Sequence, residues 1–198
     1  MKNRPVVPIG CFFQGCYNPA YEEEIRKGKD LCYRYNQLSP NDKEKAREIL
    51  EKLLGSMGKE PCILPPFWCD YGYNIHVGDY FYANHGMIIT DGTAVTFGDH
   101  VFVAPNCCFT TAEHAIDPDM RRAGVEIAKP IVIGNNVWIG AGTTVLAGVT
   151  IGDNTVIGAG SVVTRSIPAG VVAVGVPCRV LREITEADKT RYPMYPTR

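Results

Sequence analysis

Four histidines, His76, His85, His100 and His114, stand nine, fifteen and fourteen residues apart. Only His114 falls in a long polar stretch, residues 110–130, that interrupts an otherwise repetitive sequence. Histidine as a residue type ionises near neutrality, so a loop histidine can serve as a general base. Taken alone, a single loop histidine is better explained as a solvated bystander. Glu126 lies in the same stretch and could orient an imidazole. Three arginines, Arg165, Arg179 and Arg182, fall within eighteen residues near the C-terminal end and could hold phosphates; a solvated basic edge explains them as well. Eight cysteines include no Cys-x-x-Cys pair and none at zinc-ligand spacing from a histidine, so reduced, mostly buried thiols and no metal are expected.

The element that must position these residues is a six-residue repeat. Ile133, Ile139, Val145, Ile151, Ile157 and Val163 recur at that spacing, with Gly at the second place of four units and Asn, Asp or Gly at the third and fourth. A helix of period 3.6 cannot keep every sixth residue on one face, and a long strand wants period two. Short strands joined by tight corners satisfy the pattern, with Gly and Asn supplying permissive backbone and the aliphatics stacking inward. This is the signature of the left-handed parallel β-helix. That resemblance supplies the handedness and the three units per coil.

The repeat runs upstream through Val77, Ala83, Ile89 and Val95 and resumes two residues out of phase at Phe97, Val103 and Phe109. A bulged corner near Asp91-Gly92-Thr93 accounts for the slip. From Phe109 to Ile133 is twenty-four residues, so the polar stretch reads as a loop thrown out of the coil. The predicted organisation is an N-terminal arm and helical appendage over 1–60, the β-helix over 61–180 with its loop at 110–130, and a tail over 181–198. In the appendage, helix is expected over 21–36. A second helix is capped at Ser39, with Pro40 at its first place, Ala46, Ile49, Leu50, Leu53 and Leu54 on one face, and an end at Gly55 or Gly58. Pro61 to Trp68 reads as an extended linker. Trp138 stands at the sixth place of its unit, off the column, where a neighbouring subunit or a ligand must cover it.

Charge is nearly balanced at −1, so no nucleic-acid footprint is visible. No apolar run is long enough to span a membrane, and residues 1–10 lack a signal-peptide core, so a cytoplasmic protein is expected.

The chain resembles the maltose and galactoside O-acetyltransferases of the hexapeptide-repeat superfamily. The resemblance rests on Asp70-Tyr71-Gly72-Tyr73-Asn74-Ile75, Phe81-Tyr82-Ala83-Asn84, Thr111-Ala112-Glu113-His114, the run Lys129–Gly140 and Val174-Gly175-Val176-Pro177-Cys178-Arg179-Val180. It implies homotrimers with active sites between subunits, acetyl-CoA as acyl donor and a sugar hydroxyl as acceptor. By the same resemblance His114 is the catalytic base and Asn84 stands beside the reaction centre. Asp70 and Tyr82 match acceptor-side positions. Asp91 stands one place before the family's acceptor-binding Asp, with Gly92 at the matching position. Ala141, Ala159 and Thr164 match contacts along the pantetheine arm, and Arg165, Arg179 and Arg182 match positions near the coenzyme's phosphates. The first sixteen residues depart from the family's arm, which leaves the acceptor open.

Three other readings compete. The same chemistry could act on an antibiotic of the streptogramin type or on an amino sugar. A γ-type carbonic anhydrase is also a trimeric β-helix, but it needs three histidine ligands on zinc, and no close His pair exists here. A catalytically silent scaffold is the third.

Overall fold

The structure, a computed structural model, describes residues 5–192; the first four and last six residues, the ends of the expected arm and tail, lie outside the described residues. The repeat folds as read, into a three-faced parallel solenoid. Two five-stranded sheets and one seven-stranded sheet form the faces, and nearly every rung is two to four residues long. All six repeat aliphatics from Ile133 to Val163 are buried, and their columns continue through Phe97, Val103 and Phe109 to Val77, Ala83 and Ile89.

The two-residue slip has a simple structural cause. In the lower coils inward residues pair twenty apart, as in Met57, Val77 and Phe97, and in Ile63, Ala83 and Val103. In the upper coils they pair eighteen apart, as in Ile133 with Ile151 and Val145 with Val163. The lower coils therefore carry two extra residues at one corner, 70–74 in one coil and 91–94 in the next. The step from Phe97 to Ile133 is thirty-six residues, so the chain leaves the stack for the loop and returns in register.

Corner chemistry explains the Asn and Asp that recur at the third and fourth places of the units. Backbone N–H groups of Asp79, Asp99 and Asn135 donate to the side chains of Asp99, Asn135 and Asp153 in the next coil, at 2.7–2.8 Å. Asn136 and Asn154 take left-handed backbone at φ 55°, which Asn tolerates better than most residues.

Helix α1 (Pro19–Asn36) starts at an Asn18 cap with Pro19 in its first turn. The second helix differs from expectation. α2 (Lys43–Leu53) is capped by position at Asp42, while Ser39 and Pro40 form the turn before it: the Asp42 N–H donates to the Ser39 carbonyl at 2.9 Å. It ends at Leu53, because the chain is already entering the first coil. The strand Ser56–Met57 pairs with Ile75–Val77, Cys62–Ile63 falls inside the stretch expected as linker, and Phe67–Cys69 overlaps its end. The solenoid thus begins before residue 61.

The helices cap the open end of the stack. Cys32, Tyr35, Leu50 and Leu53 are buried on it, and Asn36 exchanges two 2.9 Å hydrogen bonds with the backbone of Phe67. At Gly28 a Cβ would lie 2.2 Å from the carbonyl oxygen of Asp70. Gly28→Ala gains about 1 kcal/mol in helix propensity. It forces α1 off a backbone that cannot swing aside, at roughly 1–3 kcal/mol. Net destabilisation is expected in urea unfolding; a more stable variant would show that α1 does not seat here. At the other end, Arg179–Glu183 folds back antiparallel on Val171–Val174 and closes the top. Among the described residues no helix is long and apolar enough to cross a membrane.

Candidate functional site

The loop 110–130 is a small sheet of its own rather than an irregular excursion. Ala112–His114 pairs antiparallel with Val125–Ala128, which pairs in turn with the arm strand Phe12–Gln14. The registers place Glu126 between His114 on one side and Phe13 on the other. The tip is a short helix, α3 (Pro118–Arg122), whose first N–H groups Asp117 accepts at 2.9–3.0 Å. Arg121 donates to the carbonyls of Ala115 and Ile116 and ties the tip to the strand carrying His114.

This sheet brings three polar side chains together. Nδ1 of His114 lies 3.6 Å from Oε1 of Glu126, with the imidazole 57% exposed and the carboxylate 20%. The Cys16 thiol donates to the same Oε1 at 3.0 Å. Burial first, then that hydrogen bond, pushes the Cys16 thiol up to about 11. Gly15 permits the approach, since a Cβ there would stand 2.2 Å from Oε2 of Glu126. Among the described residues nothing bonds the other ring nitrogen of His114. Sequence reasoning missed Cys16. It lies 110 residues from Glu126, and only the pairing of arm and loop brings the two together.

Asp70 and Asp91 stand at the corner beneath this sheet. Asp91 differs from its expected place among acceptor contacts. It is wholly buried, and its Oδ1 accepts from the N–H groups of Asp70 and Tyr71 at 3.0 and 2.9 Å. Its Oδ2 is buried without a partner. Burial pushes its carboxyl up to about 7 against the pull of the backbone bonds. Asp91 therefore shapes the corner that presents Asp70. Asp70 is partly exposed, 3.4 Å from Lys29, and is raised chiefly by burial, with Glu126 adding to the rise. Asp70, Glu126, His114 and Cys16 thus share one edge of the prism.

Asn84 and Tyr82 lie on a different edge. Tyr82–Ala83 belongs to the seven-stranded face, whereas the strand leading into the His114 loop belongs to a five-stranded one. Asn84 is followed up its edge by Ala104, Gly140 and Gly158, joined coil to coil by 2.7–2.9 Å backbone bonds. Ala141 and Ala159 sit at the same corners, beside Gly142 and Gly160, where a Cβ would meet nothing within 4 Å. An open, small-residue track therefore runs along the stack. Thr164 and Arg165 fall instead above the His114 edge, after Val162–Val163. The expected coenzyme contacts are divided between two edges of one chain. Arg182 is ion-paired with Asp188 at 2.6 Å, and Arg179 bonds the Cys178 carbonyl at 2.8 Å. Trp138 points outward, 54% exposed, in register between Phe102 and Val156.

The other histidines have structural employment. His76 bonds Ser56 Oγ at 2.9 Å, His85 contacts the Pro65 carbonyl, and His100 stacks on Tyr80 with ring centres 5.0 Å apart. Among the described residues no three histidines converge within one chain. A concavity of about 590 Å³ between α2 and the first coil is lined by Leu38, Pro40, Leu50, Ile63 and His85 and holds none of the expected site residues.

Comparison with known proteins agrees with this fold. The signature described as bacterial transferase hexapeptide (six repeats) matches residues 130–165, and the maltose acetyltransferase hexapeptide capping motif matches residues 16–58. A putative acetyltransferase of Saccharomyces cerevisiae, YJL218W, is 49% identical over 185 residues, 93% of this chain and 94% of its own length. The galactoside O-acetyltransferase of Escherichia coli is 45% identical over 86% of this chain and 84% of its own. Among solved structures, a galactoside acetyltransferase in complex with coenzyme A superposes with a TM-score of 0.88 at 43% identity, covering 91% of this chain and 90% of that one. A hexapeptide-repeat acetyltransferase of Vibrio cholerae complexed with acetyl coenzyme A gives 0.82 at 35% identity, covering 88% and 93%.

Proposed function

The chain belongs to the maltose and galactoside acetyltransferase family of hexapeptide-repeat transferases and is an acetyl-CoA-dependent acyltransferase; from that premise we propose that it acetylates a sugar hydroxyl directly, with His114 as general base. The observation that carries this reading is the His114–Glu126 contact. The carboxylate faces Nδ1 and leaves the opposite nitrogen open toward solvent. An alcohol ionises far above neutral pH, so its proton must leave as its oxygen attacks. The open nitrogen of His114 takes that proton while the hydroxyl oxygen bonds to the thioester carbonyl carbon. The tetrahedral oxyanion collapses, the carbon–sulfur bond breaks, and the coenzyme thiolate leaves with the proton held by the imidazole. Asn84 supplies an amide donor for the oxyanion or the acceptor. Ala141 and Ala159 flank the track for the pantetheine arm; Thr164, on the other edge, is a further contact of that arm, and Arg165, Arg179 and Arg182 take the phosphates. Asp70 and Tyr82 take acceptor hydroxyls.

Two observations favour a trimer. The base and Asn84 stand on different edges of one prism, so a neighbour that apposes one edge to the other completes the site. The outward Trp138 and Phe102 also need covering. Use of acetyl-CoA favours a cytoplasmic setting, as do eight free cysteines. An acceptor screen tests the reading: thiol release from acetyl-CoA is expected with glucosides, galactosides or oligosaccharides. Release only with streptogramins or amino sugars would overturn the sugar-hydroxyl assignment.

A further inference from the structure

Cys16 has no part in the acetyl transfer just described, yet its thiol is held against the two residues that carry the base. We propose that Cys16, His114 and Glu126 form a binding site for a zinc-class divalent cation, and that occupancy shuts the enzyme off. One ligand atom from each, a sulfur, an imidazole nitrogen and a carboxylate oxygen, lies within 4.8 Å of the others. Zinc bonds to such atoms are about 2.0–2.3 Å, so in a tetrahedron the ligand atoms stand roughly 3.3–3.6 Å apart. The observed separations to Glu126 Oε1 are 3.0 Å from sulfur and 3.6 Å from Nδ1, so side-chain adjustment alone closes the site.

The ligands come from three separate segments, and the backbone that carries them is fixed. The N–H groups of Gly15 and Cys16 both donate to the Gly124 carbonyl at 3.1 Å. Gly124 takes left-handed backbone at φ 79°, and a Cβ on it would strike the Cys16 Cβ at 2.8 Å. A thiolate, an imidazole and a carboxylate together suit zinc better than the hard cations, which prefer oxygen alone. Three protein ligands leave a fourth position open, and the His114 side chain among them is 57% exposed. On binding, the Cys16 proton passes to solvent and the thiolate bonds the metal. Glu126 then serves the metal instead of the imidazole, and His114, itself a ligand, cannot take the acceptor's proton.

Metal binding is read without any acceptor, so its failure is distinguishable from failure of the sugar reading. Full-length protein, freed of metal by dialysis, is titrated with zinc against a chromophoric chelator and with cobalt as a spectroscopic probe. One zinc per chain and a thiolate-to-cobalt charge-transfer band are expected. Cys16→Ser should abolish the band and weaken zinc by more than the roughly 10–100-fold that an outer-shell loss costs; His114→Ala should weaken zinc while far-ultraviolet dichroism is unchanged. No stoichiometric uptake overturns the site. So does a band that survives Cys16→Ser, since exposed Cys11 or Cys62 would then be its source. Where CoA release is measurable, stoichiometric zinc should suppress it and a chelator restore it; unchanged turnover in the zinc-loaded enzyme overturns the shut-off.

Discussion

His114→Ala is expected to lower kcat by about 10²–10⁴-fold, the usual worth of a positioned general base, while KM for acetyl-CoA changes little. The imidazole is exposed and its loss opens no cavity, so the variant should keep the dichroism spectrum and assembly of the parent. Glu126→Gln is expected to cost less, because the amide keeps the shape and removes only the charge that faces Nδ1. The double variant distinguishes a base with its positioning residue from two independent contributions. If Glu126 acts through His114, adding Glu126→Gln to His114→Ala should cost almost nothing further. Additive losses would mean that Glu126 touches the reaction by another route. Near-normal kcat in His114→Ala would end the assignment of the base.

The fold was legible where the physics is local and periodic. Every sixth residue from Ile133 to Val163 faces inward because each short rung carries one inward residue and each corner returns the chain by the same angle. The sequence therefore shows the column directly. The two-residue slip was legible as a bulged corner but not in its consequence. Asp91 looks like an exposed turn residue beside Gly92. Only the extra length of the lower coils folds it inward, onto the N–H groups of Asp70 and Tyr71. The prolines of Pro61–Trp68 suggest a linker, yet short rungs tolerate them between strands. Ser39-Pro40 has the residues of a helix start and makes a turn instead, with the helix beginning at Lys43. His114 was legible as the one histidine in the interruption. Its neighbours were not: Cys16 reaches Glu126 through a strand pairing across more than a hundred residues, and no spacing rule records that.

Asp91 carries the second large prediction. Its carboxyl is raised to about 7 from an ordinary value of 3.8, chiefly by burial. A native state that holds the proton more tightly than the unfolded chain is favoured at low pH. The contribution is fully present below about 4 and is lost as the pH rises through about 7. The whole window is worth roughly 4 kcal/mol, a large share of the 5–15 kcal/mol by which domains are commonly stable. Asp91→Asn keeps an oxygen for the two backbone donors and has no proton to lose. The variant and the parent should therefore differ little near pH 4, and the variant should become progressively more stable than the parent up to pH 8. Urea midpoints measured across that range for both proteins test the sign as well as the size. Parallel curves would mean that the buried Oδ2 finds a partner in the assembled enzyme and ionises at no cost. A gap that widens toward alkaline pH would show that the chain accepts a neutral acid at this corner in order to fix the backbone that presents Asp70.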